Sequence, residues 1–189
     1  MSLKHVLLGC LYEKPMTGFD LKKTLDGAIS HFWRAELSQI YPTLKRMQEE
    51  SLVTCEAGNR DKVYHITKAG RDELLGWLRA PTEPAQQRDA FMVKVYFGSY
   101  LEDEEVSRIV EDQKRRHQRR LAEYEEALAE GNRILRSLEG PAARDFRIKL
   151  LTLRAGIEFQ KYWVTWCDET VSEIAALSAA SGGSKEVEP

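Results

Sequence analysis

Apolar residues recur along this chain at two periods, and their order predicts mostly helix with one hairpin. Leu3, Val6, Leu7, Cys10 and Leu11 form a stripe at helical spacing, predicting a helix over residues 2–12 that Lys14-Pro15 ends. Thr17-Gly18-Phe19-Asp20 sets a carboxylate three residues after a hydroxyl, a capping-box start. The second helix then reaches Ile29, with Phe19, Leu21, Leu25 and Ile29 inward and Lys22 and Lys23 outward. Ile40, Leu44 and Met47 recur at spacings of four and three and predict a third helix over 38–50. Ser38 is its expected N-cap. Pro42 is expected within the first turn, because deeper in it would remove a backbone hydrogen bond. Leu52 to Glu56 and Lys62 to Ile66 read as strands around the polar turn Ala57-Gly58-Asn59-Arg60-Asp61, a β-hairpin. Thr67 then caps a fourth helix over 68–78, with Leu74, Leu75 and Leu78 inward.

Two prolines, Pro81 and Pro84, interrupt the pattern and mark a linker. The expected organisation is a first domain over 1–80, a linker over 81–87, a helical domain over 88–180 and a disordered tail over 181–189. Residues 88–99 predict a short helix with Phe91, Val95 and Tyr96 as its apolar set. A long helix follows over 102–136. Glu102, Asp103, Glu104 and Glu105 sit at its N-terminal end, where the helix dipole favours negative charge. Val110, His117, Leu121, Tyr124, Leu128, Leu135 and Leu138 make a coiled-coil-like seam, and Gly131 within it predicts a bend. Gly140-Pro141 reads as a break before a last helix over 142–179, which carries Phe146, Leu150, Leu153, Ile157, Tyr162, Trp163 and Trp166. Two such helices hold more apolar stripe than they can bury on each other. The cheapest cover is a second copy about a two-fold axis.

Composition narrows the class. The chain has 189 residues and three cysteines, Cys10, Cys55 and Cys167, far apart and odd in number. That predicts reduced thiols in a cytoplasmic protein, not a disulfide framework. Cys55 and Cys167 are readable as redox sensors, though apolar packing is the commoner role of such thiols. No apolar run has the length of a membrane span, and the N-terminus lacks a secretory leader's pattern. The four histidines show no metal-ligand spacing, and phosphate-loop, dinucleotide and nucleophile-elbow motifs are absent. Neither an enzyme nor a bound cofactor or metal is expected. Net charge is −2 overall, but residues 1–80 hold 12 Lys and Arg against 10 Asp and Glu, while 81–189 hold 16 against 20. A mildly basic first half suits a nucleic-acid partner, because phosphates feel only nearby charge.

A helix followed at once by a basic hairpin is the layout of a winged helix-turn-helix. The fold class expected is mainly α with a small β-hairpin: an N-terminal winged helix-turn-helix plus a C-terminal long-helix dimerisation domain. The phrases IYPTLKRM and YHITKAG resemble the recognition helix and second wing strand of the PadR family of bacterial transcriptional regulators. The resemblance runs strongly over residues 3–78 and more weakly into the helical tail. It implies a homodimeric, sequence-specific regulator, a ligand- or stress-responsive repressor, on an inverted-repeat operator in double-stranded DNA. Carried over by position, it sets Ser38, Gln39, Tyr41, Pro42 and Thr43 at the groove-facing end, with Lys45 and Arg46 adding base-edge or phosphate contacts. Gln39 is able to pair bidentately with adenine, and the Thr43 methyl can touch a thymine methyl. Asn59, Arg60 and Lys62 occupy the wing tip, with Arg60 the best minor-groove or phosphate candidate.

Bland readings stand beside these. Lys114 to Arg120 looks like a basic patch, yet pairs such as Glu111–Arg115 and Asp112–Arg116 make it a solvated helix face. Phe159, Tyr162, Trp163 and Trp166 read first as dimer core, and more sharply as a pocket for a small planar effector. The alternative function is a winged-helix protein-interaction module without specific DNA binding. It predicts little salt dependence, where a DNA reader predicts a steep one.

Overall fold

The computed structural model describes residues 3–27, 29–30, 33–57, 62–82 and 89–182. By internal contacts the chain divides into two compact units, Met1–Ala85 and Gln86–Pro189.

In the first unit the order is α1 (Leu3–Glu13), β1 (Met16–Thr17), α2 (Gly18–Asp26), α3 (Leu37–Glu49), β2 (Val53–Ala57), β3 (Lys62–Ile66) and α4 (Lys68–Arg79). The hairpin pairs Val53 with Ile66 and Cys55 with Tyr64. It gains a third strand that the alternation did not reveal. Met16 pairs with Tyr64 and Thr17 with Val63, so β3 lies in the centre of a small antiparallel sheet. Two residues are too few to show a period of two.

Leu7, Leu8, Leu21, Leu25, Ile40, Leu44, Met47 and Val53 are fully buried and join all three early helices to the sheet. Each such side chain contributes about 1.5–3 kcal/mol on leaving water. Trp33 packs partly buried against this core; His31 and Phe32, which precede it in sequence, lie outside the described residues. The capping box at α2 is present: the Asp20 amide donates to Thr17 Oγ1 and the Thr17 amide to Asp20 Oδ2, both at 3.1 Å. The Thr17 hydroxyl also donates to Asp20 Oδ2 at 2.7 Å, and it, then the Thr17 amide, holds the Asp20 carboxyl below its ordinary value. Thr67 caps α4 by accepting from the Gly70 amide at 3.0 Å.

Several expectations are corrected. Phe19 is 65% exposed. It follows the capping turn two positions before Leu21, about 200° round the helix from it. Leu78 is also exposed, because Trp77 fills that side by stacking on His5 at 4.8 Å. The N-cap of α3 is Glu36 rather than Ser38. Glu36 is extended at φ −92° and ψ 159°, and its amide donates to Gln39 Oε1 at 3.0 Å. Pro42 therefore stands in the second turn of α3, not the first. The bond that residue 42 would donate to the Ser38 carbonyl is missing by chemistry. Both residues are exposed, so water can satisfy that carbonyl.

The second unit comprises α5 (Ala90–Tyr96), a 3-10 turn (Gly98–Tyr100), α6 (Asp103–Leu135) and α7 (Gly140–Gly182). Asp89 caps α5 through the amides of Phe91 and Met92. Tyr96, expected inward, is exposed in its last turn. The amide of Glu102 donates to Glu105 Oε2 at 3.3 Å, opening α6 inside the acidic run. The helices α6 and α7 form an antiparallel hairpin. Asp103 meets Ser178, Lys114 meets Asp168, and His117 meets Gln160. Gly131 marks no interruption of α6. It is buried because the Leu150 side chain crosses there, with Cδ2 only 2.6 Å from where a Cβ would stand. The break between the helices lies at 136–139, one turn earlier than Gly140-Pro141, and Pro141 falls in the first turn of α7, where its missing N–H costs nothing.

Candidate nucleic-acid interface

The face of α3 opposite Ile40, Leu44 and Met47 carries Ser38, Gln39, Tyr41, Pro42, Lys45 and Arg46, all exposed, with Thr43 half-buried at its edge. Lys45 lies 4.0 Å from Glu49, too far and too exposed to hold it. The Thr43 hydroxyl donates to the Gln39 carbonyl at 2.7 Å. The Gln39 side chain is half committed: Oε1 accepts the Glu36 amide. Bidentate pairing with adenine needs both Oε1 and Nε2, so Gln39 would have to leave its cap to read a base that way.

Tyr41 is seated against two other elements. Its ring lies over Gly18 at the start of α2. Its hydroxyl is close enough to Tyr64 on β3 to help raise the Tyr64 phenol, after burial and beside Cys55. Lys22, outward on α2, is taken up by Asp26 at 2.6 Å and Glu36 at 3.4 Å, which together raise its pKa. Lys62 opens β3 with an exposed side chain. Asn59 and Arg60 lie outside the described residues.

Comparison with known proteins decides the family. The model of the "Transcriptional regulator PadR-like family" matches residues 7–75, and that of "Virulence activator alpha C-term" matches residues 87–175. The negative transcriptional regulator PadR of Bacillus subtilis is 32% identical over 182 residues, covering 91% of this chain and 97% of the relative. The chain belongs to the PadR-like family of transcriptional regulators. Among solved structures, the Vibrio cholerae virulence activator AphA aligns with a TM-score of 0.78 at 32% identity, over 93% of this chain and 99% of that one. Bacillus subtilis PadR in complex with operator DNA aligns at 0.76 and 30%, over 91% and 98%. The same protein in complex with p-coumaric acid aligns at 0.76 and 30%, over 92% and 98%. As a PadR-like chain this protein regulates transcription and is not an enzyme.

The aromatic candidates of this PadR-like chain's second unit do not share one environment. Trp163 is 6% exposed, whereas Phe159 and Tyr162 are 55% and 60% exposed. Trp166 is half-buried. Around Trp163 the fold gathers residues that periodicity did not single out as a site. His117 stacks on it at 5.3 Å, and Phe91 meets it edge-on at 5.8 Å. His117 Nδ1 lies 2.6 Å from Gln160 Oε1, and Nε2 lies 3.0 Å from Gln113 Nε2. One neutral tautomer satisfies both contacts, with Nδ1–H donating to Gln160 and Nε2 accepting from Gln113. Gln160 is the signal that was legible and passed over: a polar residue at the core spacing of Ile157 and Trp163. In the basic run, Arg115 pairs with Glu111 at 3.8 Å and with Asp112, while Lys114 pairs with Asp168. Asp112 thus takes Arg115 rather than the expected Arg116, and Lys114 and Arg115 are the paired members of a largely solvated face.

Proposed function

We propose that this protein is a homodimeric repressor that binds an inverted-repeat operator in double-stranded DNA and releases it on binding a small planar effector. The carrying observation is the polar outer face of α3, held against the sheet by Ile40, Leu44 and Met47 and flanked by the β2–β3 hairpin. In this reading α3 lies in the major groove, with Ser38, Gln39, Tyr41, Pro42, Thr43, Lys45 and Arg46 toward DNA. Asn59, Arg60 and Lys62 reach the adjacent backbone or minor groove. The Bacillus subtilis relative bound to operator DNA, and its name as a negative regulator, support the same assignment. Reader 1–80, linker 81–87, dimerisation domain 88–180 and tail 181–189 are the parts of this arrangement, and a cytoplasmic location follows from its partner. Among the described residues no helix is long and apolar enough to cross a membrane.

The relative solved with p-coumaric acid supports an effector of planar, aromatic character. Phe159, Tyr162, Trp163 and Trp166 are the residues we assign to its recognition, and the His117–Gln160 pair supplies polar groups beside Trp163. The experiment is selection of genomic fragments on the purified protein at near-physiological salt, followed by sequencing. An enriched inverted repeat, bound less tightly as salt rises, is the expected result. A folded dimer that enriches nothing, with and without added phenolic acids, would move the assignment to a protein-docking module.

A further inference from the structure

Glu36 is not among the side chains assigned to DNA above, yet the start of α3 is arranged about it. Its amide donates to Gln39 Oε1 at 3.0 Å, and its carbonyl accepts the Gln39 amide at 2.8 Å. Its carboxylate Oε2 lies 3.4 Å from Lys22 Nζ, and the side chain is still 72% exposed. Lys22 is held in turn by Asp26 at 2.6 Å and is only 19% exposed. A chain of alternating charge, Asp26, Lys22, Glu36, therefore ties the outer turn of α2 to the end of α3 that carries Ser38 and Gln39.

This arrangement fixes what each side chain can offer a base. The cap turns Gln39 Oε1 back to the backbone of Glu36, so the amide cannot aim Oε1 and Nε2 together at one base edge. What it presents is Nε2, a donor. Glu36 offers the opposite, since a carboxylate only accepts. Phosphates repel it, so its partner must be a base. In the major groove the donors are cytosine N4 and adenine N6. Adenine sets N7 beside that amino group, and its lone pair repels a carboxylate; cytosine sets only a C–H there. The donor of Gln39 has acceptors at guanine O6 and N7 and at thymine O4, where the thymine methyl crowds the approach. A guanine·cytosine pair places acceptor O6 directly beside donor N4, which matches a donor and an acceptor joined through one cap.

We propose that Glu36 is a specificity-determining residue of the reader: its carboxylate accepts from cytosine N4, while Gln39, still capping α3, donates to the guanine of the same pair. Lys22 is a positioning residue, which screens the carboxylate from the phosphates and holds it to α2. The capped geometry selects a cytosine·guanine pair where an uncapped Gln39 selects adenine. The inference rests on the DNA-reading assignment above and names the base pair read at one position of each half-site.

Selection of random duplexes on the native protein and on two variants, at one salt concentration, tests it. Glu36→Ala keeps the backbone amide that Gln39 caps. Gln39→Glu keeps an acceptor for that amide and removes the Nε2 hydrogens. Circular dichroism and the urea midpoint check that both fold. The native repeat is expected to carry a fixed cytosine·guanine pair in each half-site. Changing that pair to thymine·adenine in one half-site should weaken the native protein roughly thirtyfold, within the cost of one mismatched pair. Each variant should lose only about fivefold, since one of the two contacts is already gone. A native repeat with no fixed cytosine·guanine pair overturns the inference whatever the variants do. Unchanged base preferences in Glu36→Ala overturn it and leave the DNA-reading assignment standing. So does tighter binding of Glu36→Ala to every sequence alike, the sign of a carboxylate that only repels phosphate. An adenine preference lost in Gln39→Glu shows that Gln39 leaves its cap, and overturns it too. A native protein that enriches no sequence overturns the DNA reading and this inference with it.

Discussion

The ring of Tyr41 fills the space that a side chain on Gly18 would need. A methyl group on Gly18 would stand 2.5 Å from Tyr41 Cε1 and 3.0 Å from its hydroxyl oxygen. The first turn of α2 thus fixes how the most prominent aromatic of α3 leaves the surface, where Tyr41 remains 47% exposed. If Tyr41 bonds a phosphate, Gly18→Ala should weaken operator binding roughly tenfold, the worth of a hydrogen bond to a charged group at about 1.5 kcal/mol. In a Tyr41→Ala background Gly18→Ala should cost nothing further, since the ring it displaces is gone. Additive losses in the double variant would show that Gly18 acts on binding by another route.

Gly70 and Gly76 sit six residues apart in α4 and should respond oppositely to alanine. A Cβ at Gly70 would lie 2.2 Å from the Leu52 carbonyl oxygen and 2.9 Å from Ile66 Cγ1. That carbonyl cannot retreat freely, because it accepts the Thr67 amide at 3.0 Å. Gly70→Ala should therefore destabilise the first unit by about 3 kcal/mol, the upper end of overpacking costs. Gly76 has nothing within 4 Å and is exposed, so Gly76→Ala should stabilise by about 1 kcal/mol through helix propensity. Urea unfolding of both variants checks the sign of each.

Glu73 accepts from Lys4 Nζ at 2.6 Å and from His5 Nε2 at 3.2 Å. Lys4 first, then His5, hold its carboxyl below the ordinary 4.5. A carboxyl with a lower pKa folded than unfolded contributes stability above the unfolded value and loses it as pH falls through the folded one. The α1–α4 contact should weaken as pH falls from the ordinary 4.5 through the lower folded value. The loss is modest, because Glu73 is more than a third exposed. Stability of Glu73→Gln should fall less steeply over that window, and parallel curves for the two proteins would remove Glu73 as the cause.

The three thiols should differ in reactivity. Burial, and then the neighbouring Asp168 carboxylate, push the Cys167 thiol up, and Cys10 is buried in the first core. Cys55 is half-buried on β2. Timed alkylation of the native protein should label Cys55 well before the other two, with Cys167 reacting on the timescale of unfolding. Early labelling of Cys167 would restore it as a redox-sensor candidate.

Much of this architecture is written in residue spacing. The stripe Ile40, Leu44, Met47 fixes which side of α3 faces inward, and hence which side chains are offered outward. Thr17 and Thr67 fix two helix starts through their own hydroxyls. These are local interactions, and a linear sequence carries them in full. What the sequence did not reveal depends on residues distant along the chain. Met16 and Thr17 become a strand only because β3 offers its free edge. The cap of α3 is the local exception: Glu36 displaces Ser38 because an extended residue there lets Gln39, three residues on, reach back to its amide. Gly18 and Gly131 read as a capping-turn residue and a helix interruption, yet each is the floor beneath a side chain 23 or 19 residues away, Tyr41 and Leu150. His117, Gln160 and Trp163 meet only where the antiparallel crossing of α6 and α7 sets their register. Periodicity determines which face of an element is apolar; what that face meets is decided by packing, since only close approach in three dimensions distinguishes a partner from a neighbour of the same kind.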